Sequence, residues 1–141
     1  MIIARFNAEK HYKDLGKLWE QHGWIPCPLD AIPRQSYVAK RNGDIIAFMG
    51  MYVDEGTIGV IDWAVANNNF SKEEKDEALQ LLFNRLIVIA KLKKCNYIYS
   101  FTKNTKWGDK MKRYGMMLAE SGACTYIMPI GKNKNTAFIS D

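Results

Sequence analysis

Apolar and polar residues change their spacing several times along the chain, and each change marks a predicted element. The first seven residues, MIIARFN, alternate like a strand, and residues 9–23 then repeat at a helical period that ends at Gly23. Three alternating runs follow at residues 36–40, 44–54 and 58–66, and an Asn-Gly pair joins the first two as a hairpin. The spacing therefore predicts a strand, a helix and an antiparallel meander of three strands.

A second, longer helix is predicted where the meander ends. Ser71 and Glu74 have the spacing of a capping box, in which each side chain bonds the other residue's backbone N–H. The apolar positions that follow keep a helical period as far as about Lys94. This helix begins after the short polar loop at residues 67–70, so the pattern is that of a strand–loop–helix junction.

The remaining elements complete a mixed sheet. Residues 96–102 are expected to form a buried strand, residues 106–117 a short helix, and a turn at Ser121-Gly122 a last hairpin. The order β–α–β–β–β–α–β–α–β–β predicts an α/β (α+β) fold, with a mostly antiparallel sheet of six to seven strands and helices on both faces. We expect one domain over residues 1–141, with a polar tail from about residue 131.

An apolar loop interrupts this pattern between the first helix and the meander. Residues 24–35, WIPCPLDAIPRQ, hold three of the four prolines together with several large apolar side chains. Proline removes a backbone donor and fixes φ, so this segment cannot be a regular helix or a central strand. We expect it either to form a wall of an acceptor site or to cover an edge of the sheet.

Composition narrows the classes of partner. The net charge of +5 suits an anionic small molecule or an acidic partner, although simple solubility is the favoured explanation of the charge. The lysines form no long basic run, so we do not expect nucleic acid as a ligand. The apolar runs are too short to cross a membrane, and the N-terminus is unlike a signal peptide, so a cytoplasmic location is expected. Cys27, Cys95 and Cys124 include no C-x-x-C pair, which predicts free thiols and no metal site.

The order of elements resembles that of the GNAT superfamily of N-acetyltransferases over nearly the whole chain. Residues 63–67, WAVAN, resemble the family's fourth strand, and ALQLLFNRLIVIA resembles the helix after it. Asn104 and Gly115 match a later family motif in which an Asn comes 11 residues before a Gly. The run IPRQSYVAKRNGDIIAFMGMYVD is similar to the small phage-type members, which would place the protein in a host cytoplasm.

This resemblance implies an activity and a set of site residues. It implies acetyl-CoA as co-substrate, a primary amine of a small molecule or protein as acceptor, and binding of the pantetheine arm along strand four. The CoA pyrophosphate would lie on backbone amides of the following loop and helix start. The cofactor-binding candidates are Trp63, Ala64, Val65, Lys72, Lys75, Ala78 and Asn104.

Two further residues are candidates for the chemistry. Asp62 directly precedes the family-like strand segment, where many members carry a carboxylate that acts as general base. The family's usual general-acid Tyr falls on Met111, and Tyr114 is the nearest replacement. A surface carboxylate and a packing tyrosine are the alternatives for these two positions.

The phosphate motif departs from the family pattern. If the motif Gln/Arg-x-x-Gly-x-Gly/Ala is aligned from Leu81-Leu82, it falls at residues 73–78 and only Ala78 agrees; if it is aligned from Val65, it falls at residues 70–75 and no position agrees. The helix start carries Glu73, Glu74, Asp76 and Glu77. Missing glycines allow a Cβ to block the phosphate, so we expect weakened CoA binding. The alternative function is a catalytically inactive member of the fold that acts as a binding or phage virion-associated protein. A homodimer is compatible with either function.

Overall fold

The computed structural model describes residues 1–55, 57–102, 105–119 and 128, and the chain divides into two compact units, Met1–Ser100 and Phe101–Asp141. The first unit contains β1 (Ile2–Arg5), α1 (Ala8–Gln21), a 3-10 turn (Leu29–Ala31), β2 (Gln35–Arg41), β3 (Asp44–Val53), β4 (Ile58–Ala66), α2 (Lys72–Leu92) and β5 (Tyr97–Ser100). In the second unit, α3 spans Thr105–Arg113. The described elements follow one another along the chain as β–α–β–β–β–α–β–α, with the 3-10 turn between α1 and β2.

The five strands of the first unit form one mixed sheet in the order β1-β2-β3-β4-β5. Neighbours from β1 to β4 are antiparallel, and β5 returns parallel to β4 after the crossover through α2. The predicted mixed and mostly antiparallel sheet is therefore confirmed. Of the predicted six to seven strands the described residues contain five, because the last predicted hairpin lies mainly outside them.

Helices α1 and α2 pack on opposite faces of this sheet. Successive side chains of a strand point to opposite faces. In β2, Val38 is buried in a cluster with Leu15, Leu18 and Trp19 of α1, whereas the ring of the adjacent Tyr37 lies 5.5 Å beneath the guanidinium of Arg85 from α2. Strand β3 lies between both layers, and seven consecutive residues in it are buried.

Local signals in the sequence explain where the elements begin and turn. The side chain of Asn7 accepts a 3.1 Å hydrogen bond from the N–H of Lys10 and caps α1. The β2–β3 hairpin turns through Asn42 at φ +51° and Gly43 at φ +86°, as the Asn-Gly pair predicted. The capping box of Ser71 and Glu74 is present at the start of α2.

Strand β5 differs from the expectation of a buried strand. Tyr97 and Tyr99 are exposed, and the residues between and after them are half-buried. Their side chains share one face of the strand, and within the described residues that face of β5 is open to solvent. Among the helices of the described ranges, none has the length and apolar character needed to cross a membrane.

Candidate functional site

A β-bulge interrupts the pairing of β3 and β4 in the middle of the sheet. Phe48 pairs with Val65 and Gly50 pairs with Asp62, so two residues of β4, Trp63 and Ala64, lie opposite one residue of β3. Trp63 has φ +62°, a left-handed conformation that is normally taken by glycine at this kind of bulge. For a residue with a large side chain this conformation costs on the order of 1 kcal/mol or more, so contacts must hold it.

Three hydrogen bonds fix Trp63 in the bulge. Its backbone N–H donates to Oδ1 of Asp62 at 2.7 Å, and its carbonyl accepts from Nε1 of Trp19 at 3.2 Å. Its own indole N–H donates to the hydroxyl of Tyr52 at 2.9 Å. The rings of Trp19 and Trp63 also pack edge to face, with centroids 6.0 Å apart. The bulge is therefore determined by side chains from α1 and β3 as well as by β4 itself.

The bulge coincides with the end of the pairing between β4 and β5. The parallel ladder runs from Ile58–Tyr97 to Ile61–Ser100, and β5 ends there, while β4 continues to Ala66. Within the described strands, residues 62–66 of β4 thus extend beyond β5. Among the residues predicted to bind pantetheine, Ala64 and Val65 lie on this extension.

The backbone of Trp63, the third residue of that group, is already engaged within the protein. Its N–H and its carbonyl both take part in the hydrogen bonds to Asp62 and Trp19 described above. The sequence could not indicate this, because a non-glycine residue at positive φ has no local signal.

Asp62 lies at the point where the two strands part. Its side chain is exposed, yet the surrounding protein desolvates the carboxylate and raises its pKa, and the hydrogen bond from the Trp63 N–H only partly opposes this rise. Asp62 faces Gly50 across the strands, and Tyr52 is its diagonal neighbour on the same face. A carboxylate with these properties can accept a proton from a group that reaches the opening, which is the space beside β4 where its pairing with β5 ends.

The apolar loop of residues 24–35 packs beside Asp62. The hydroxyl of Tyr52 donates to the carbonyl of Ala31 at 2.5 Å, which connects the 3-10 turn to Trp63 through one tyrosine. A Cβ added at Gly50 would lie 2.8 Å from the ring of Pro33, so the loop also lies directly over the residue opposite Asp62. Large apolar side chains of this loop remain exposed: Trp24, Ile25 and Leu29.

Tyr52 therefore connects two parts of the site. Burial raises its pKa to about 12, although the hydrogen bond from Trp63 acts in the opposite direction. The phenol stays protonated at neutral pH and donates its hydrogen bond to the carbonyl of Ala31. Spacing in the sequence does not distinguish Tyr52 from other tyrosines, because its partners lie 21 positions before it and 11 positions after it.

The loop between β4 and α2 uses its own backbone donors. The N–H of Asn67 donates to the carbonyl of Ile46, and the N–H of Asn68 donates to the side chain of Gln21. The N–H groups of residues 69, 70 and 71 donate within the loop or to the side chain of Glu74. The donors of five consecutive residues thus have protein acceptors.

The predicted phosphate-binding residues lie at different depths in α2. Lys72 is exposed in the first turn, and Nζ of Lys75 lies 3.4 Å from Oδ1 of Asn68. Ala78 is fully buried, and at a rise of about 1.5 Å per residue it lies about 10 Å along the axis from Ser71. Its N–H belongs to the helix interior, so the structure does not bring Ala78 to the loop.

Tyr114 belongs to the second unit, just after α3. Its N–H donates to the carbonyls of Lys110 and Met111, and its ring packs edge to face against Trp107 with centroids 6.3 Å apart. Met111, at the family's usual tyrosine position, is buried. Asn104 lies outside the described residues.

Thiols and metal ligands do not gather at this site in the part of the chain that the structure describes. Cys27 and Cys95 are free, as predicted, and Cys124 lies outside the described residues. Burial raises the pKa of the Cys27 thiol, which keeps it protonated. In the described ranges, His, Cys, Asp and Glu side chains form no group of three that could hold a metal ion.

Comparison with known proteins identifies the fold. No family model matches the sequence, and no curated protein is significantly similar to it. Solved structures are similar to this chain. One is a Mycobacterium tuberculosis protein in complex with CoA, with TM-score 0.71 and 13% identity, and the match covers 89% of this chain and 76% of that protein. A probable acetyltransferase of Staphylococcus aureus has TM-score 0.70 and 12% identity over 92% of this chain and 98% of its own.

A third similar structure is an enzyme of named activity. An aminoglycoside N-acetyltransferase in complex with CoA has TM-score 0.69 and 16% identity, and covers 92% of this chain and 100% of its own. The described strands and helices, the parallel β4–β5 pair and these superpositions agree with one another. The chain has the fold of the GNAT acetyltransferases.

Proposed function

We propose that this protein is an acetyl-CoA-dependent N-acetyltransferase that acts on a primary amine of a small molecule or protein. The observation that carries the proposal is the bulge at Trp63, which coincides with the end of the β4–β5 pairing at Ile61, next to Asp62. Similar structures bind CoA, and one of them is an aminoglycoside N-acetyltransferase, whose substrate is an amine.

The extension of β4 fits an acyl-pantetheine arm. Residues 62–66 run past the end of β5, and the half-buried Ala64 has a small side chain that leaves room beside the backbone. A pantetheine arm contains two amide groups, which can pair with strand backbone as another strand would. Acetyl-CoA supplies the activated acetyl group on its thiol.

Asp62 is the proposed base. Because desolvation raises its pKa, it accepts a proton more readily than an ordinary aspartate does. The deprotonated amine then bonds to the acetyl carbonyl carbon, the carbon–sulfur bond breaks, and the thiolate takes up a proton. We assign this last proton to Tyr114, which is the nearest tyrosine to the family position.

The acceptor side is formed by the apolar loop. Pro33 covers Gly50, Tyr52 binds Ala31, and the exposed Trp24 and Leu29 belong to the same loop. This loop therefore offers apolar surface near a single carboxylate. Such a surface suits an amine that is attached to an apolar body.

A second candidate function is favoured by the loop after β4. Because its five N–H groups have protein acceptors, it offers fewer donors to a pyrophosphate than an open loop would. A protein of this fold without catalysis, acting as a binding or virion-associated protein, would need no such donors. The two candidates differ in whether acetyl-CoA is bound and consumed.

The test combines binding with product formation. Calorimetric titration with acetyl-CoA should give measurable heat, and incubation with a panel of primary amines should give an acetylated product by mass spectrometry. Protein without acetyl-CoA and heat-denatured protein are the controls. If millimolar acetyl-CoA gives no heat of binding and no thermal stabilisation, the enzyme is excluded and the binding protein is favoured.

A further inference from the structure

The loop at residues 67–71 is held by hydrogen bonds from α1 and from β3. From α1, Oε1 of Gln21 accepts from the N–H of Asn68 at 2.9 Å, and Nε2 of Gln21 donates to Oδ1 of Asn67 at 3.2 Å. From β3, the carbonyl of Ile45 accepts from the side-chain amide of Asn67 at 3.0 Å. Together these bonds give the N–H of Asn68 and the side chain of Asn67 acceptors and donors within the protein.

The rest of the loop is closed by local bonds. Oδ1 of Asn67 accepts from the N–H of Asn69 at 2.9 Å, and the carbonyl of Asn67 accepts from the N–H of Phe70 at 3.1 Å. The N–H of Ser71 donates to Oε1 of Glu74 at 3.3 Å. A ligand phosphate would have to replace several of these bonds at once.

The first turn of α2 leaves two backbone donors. The N–H of Glu74 donates to Oγ of Ser71 at 3.1 Å, and the N–H of Lys75 donates to the carbonyl of Ser71 at 2.9 Å. Between the loop and this point, the N–H groups of Lys72 and Glu73 form no hydrogen bond to another described residue. Two adjacent donors can make few hydrogen bonds to the several oxygens of a pyrophosphate.

The charge of this segment also opposes a pyrophosphate. From residue 72 to residue 77 the helix carries two lysines and four carboxylates. One of these carboxylates, Glu74, pairs with Arg41 at 2.6 Å, so Arg41 is not available to a ligand without loss of that pair. Glu73 and Glu77 are exposed, and both belong to this segment.

We propose that this protein recognises its acyl donor through the pantetheine arm and thioester, and that the nucleotide half of CoA adds little to binding. The inference rests on the proposed function and assigns its donor class: acyl-pantetheine thioesters, of which acetyl-CoA is one. The part of the site that fits the donor is the β4 extension at residues 62–66, and the closed part is the loop at residues 67–71.

The test compares two donors that differ only in the nucleotide. Acetyl-CoA and S-acetylpantetheine are supplied to the full chain with the same amine, and kcat/KM is measured for each. We expect the two values to lie within about tenfold of each other. A preference of more than tenfold for acetyl-CoA would overturn the inference and leave the proposed function intact.

A binding measurement keeps the inference testable without turnover. The dissociation constants of CoA and pantetheine should agree within about tenfold, and that of CoA should change less than about threefold between 50 and 300 mM salt. CoA that binds more than tenfold more tightly than pantetheine overturns the inference. If neither ligand binds at millimolar concentration, the inference and the proposed function both fail.

Two variants locate the effect. Lys72→Gln removes the exposed cation of the first turn and should weaken CoA and pantetheine equally, by less than about threefold. Lys13→Gln in α1 is the control for the loss of one surface charge. A selective loss of CoA affinity in Lys72→Gln alone would mean that the helix start binds the pyrophosphate, contrary to the inference.

Discussion

The N–H of Trp63 donates a 2.7 Å hydrogen bond to the carboxylate of Asp62, the residue directly before it. The proposed base therefore also stabilises the left-handed backbone that forms the bulge. An asparagine side chain can accept the same bond through its Oδ1 and keeps the shape of the site. Asp62→Asn is consequently a substitution that separates the charge of this residue from its structural role.

The pKa of Asp62 predicts a pH dependence of stability. Because desolvation raises the pKa in the folded state, folding disfavours the ionised form, and this cost is absent at low pH and complete above the folded-state pKa. The wild type should therefore lose stability relative to Asp62→Asn as the pH rises from about 3 through the unfolded value near 3.9 and beyond. Because the carboxylate is exposed, the difference should be small.

Thermal unfolding at a series of pH values measures this difference. The melting temperature of Asp62→Asn minus that of the wild type should increase between pH 3 and pH 7. Asp44→Asn, at an exposed hairpin carboxylate, serves as the control. A difference that is constant with pH, or that decreases, would contradict the assignment of a raised pKa.

Tyr52→Phe should loosen the apolar loop from the bulge. The change removes the hydroxyl that donates to Ala31 and accepts from Trp63. Loss of the two hydrogen bonds should lower the free energy of unfolding by about 1–2 kcal/mol, as measured by denaturant titration. Tyr97→Phe, which alters an exposed tyrosine of β5, is the matched control and should change stability by less than about 0.5 kcal/mol. Equal effects of the two substitutions would mean that the hydroxyl bridge contributes nothing.

Gly50→Ala tests the close approach of the loop to the sheet. The added methyl group would lie 2.8 Å from Cγ of Pro33 and 2.8 Å from Oγ of Ser36, so the loop would have to move. We expect a loss of about 1–3 kcal/mol in the free energy of unfolding. Gly16→Ala in α1 is the control, because a Cβ there meets nothing within 4 Å and should stabilise the helix by up to about 1 kcal/mol. An unchanged stability in Gly50→Ala would show that Pro33 does not pack there.

Local signals were sufficient to predict most of the described fold. The Asn-Gly turn, the capping box of Ser71 and Glu74 and the alternating runs gave the hairpin, α2 and the meander close to their observed bounds. These features depend on neighbours in sequence, which explains the agreement. The prediction that residues 96–102 form a buried strand was wrong, because Tyr97 and Tyr99 are exposed. The size of an aromatic ring alone does not determine whether it is buried.

The site was less predictable because its bonds join distant segments. Asp62 was identified through a family resemblance, but the left-handed Trp63 and its bond to Trp19 depend on residues 44 positions apart. The loop depends on a similar separation, because Gln21 binds Asn68 across 47 positions. From the sequence, the missing glycines suggested a steric obstacle to phosphate, whereas the structure shows that the loop donors are also occupied.

His11 predicts a second pH effect, of opposite sign. The ring is buried, its Nδ1 accepts from the N–H of Asn7 at 2.9 Å, and its pKa is lowered by burial, with Lys40 and Lys10 acting in the same direction and Asp14 against it. The neutral form is therefore favoured in the folded state. The contribution of His11 to the free energy of unfolding is fully present above the histidine pKa of the unfolded chain, near 6.5. It is lost as the pH falls below that pKa.

Chemical denaturation at pH 7.5 and at pH 5.5 measures the contribution of His11. The wild type should lose more stability between these two pH values than His11→Gln does, whatever the absolute stability of the variant. Control titrations at pH 7.5 and pH 8.5 should give the same free energy for each protein. An equal loss in the wild type and the variant at pH 5.5 would exclude His11 as the titrating group.

The measurement that tests the central claim most directly is the pH profile of kcat/KM for acetyl transfer by the wild type and by Asp62→Asn. General-base catalysis contributes typically about 10²–10⁴-fold, so the variant should lose at least about 100-fold in kcat/KM while its affinity for acetyl-CoA changes less than about threefold. The wild-type profile should also show an acidic limb above the ordinary aspartate pKa, because desolvation raises the pKa of Asp62. A variant with unchanged turnover across the pH range would show that Asp62 is not the base.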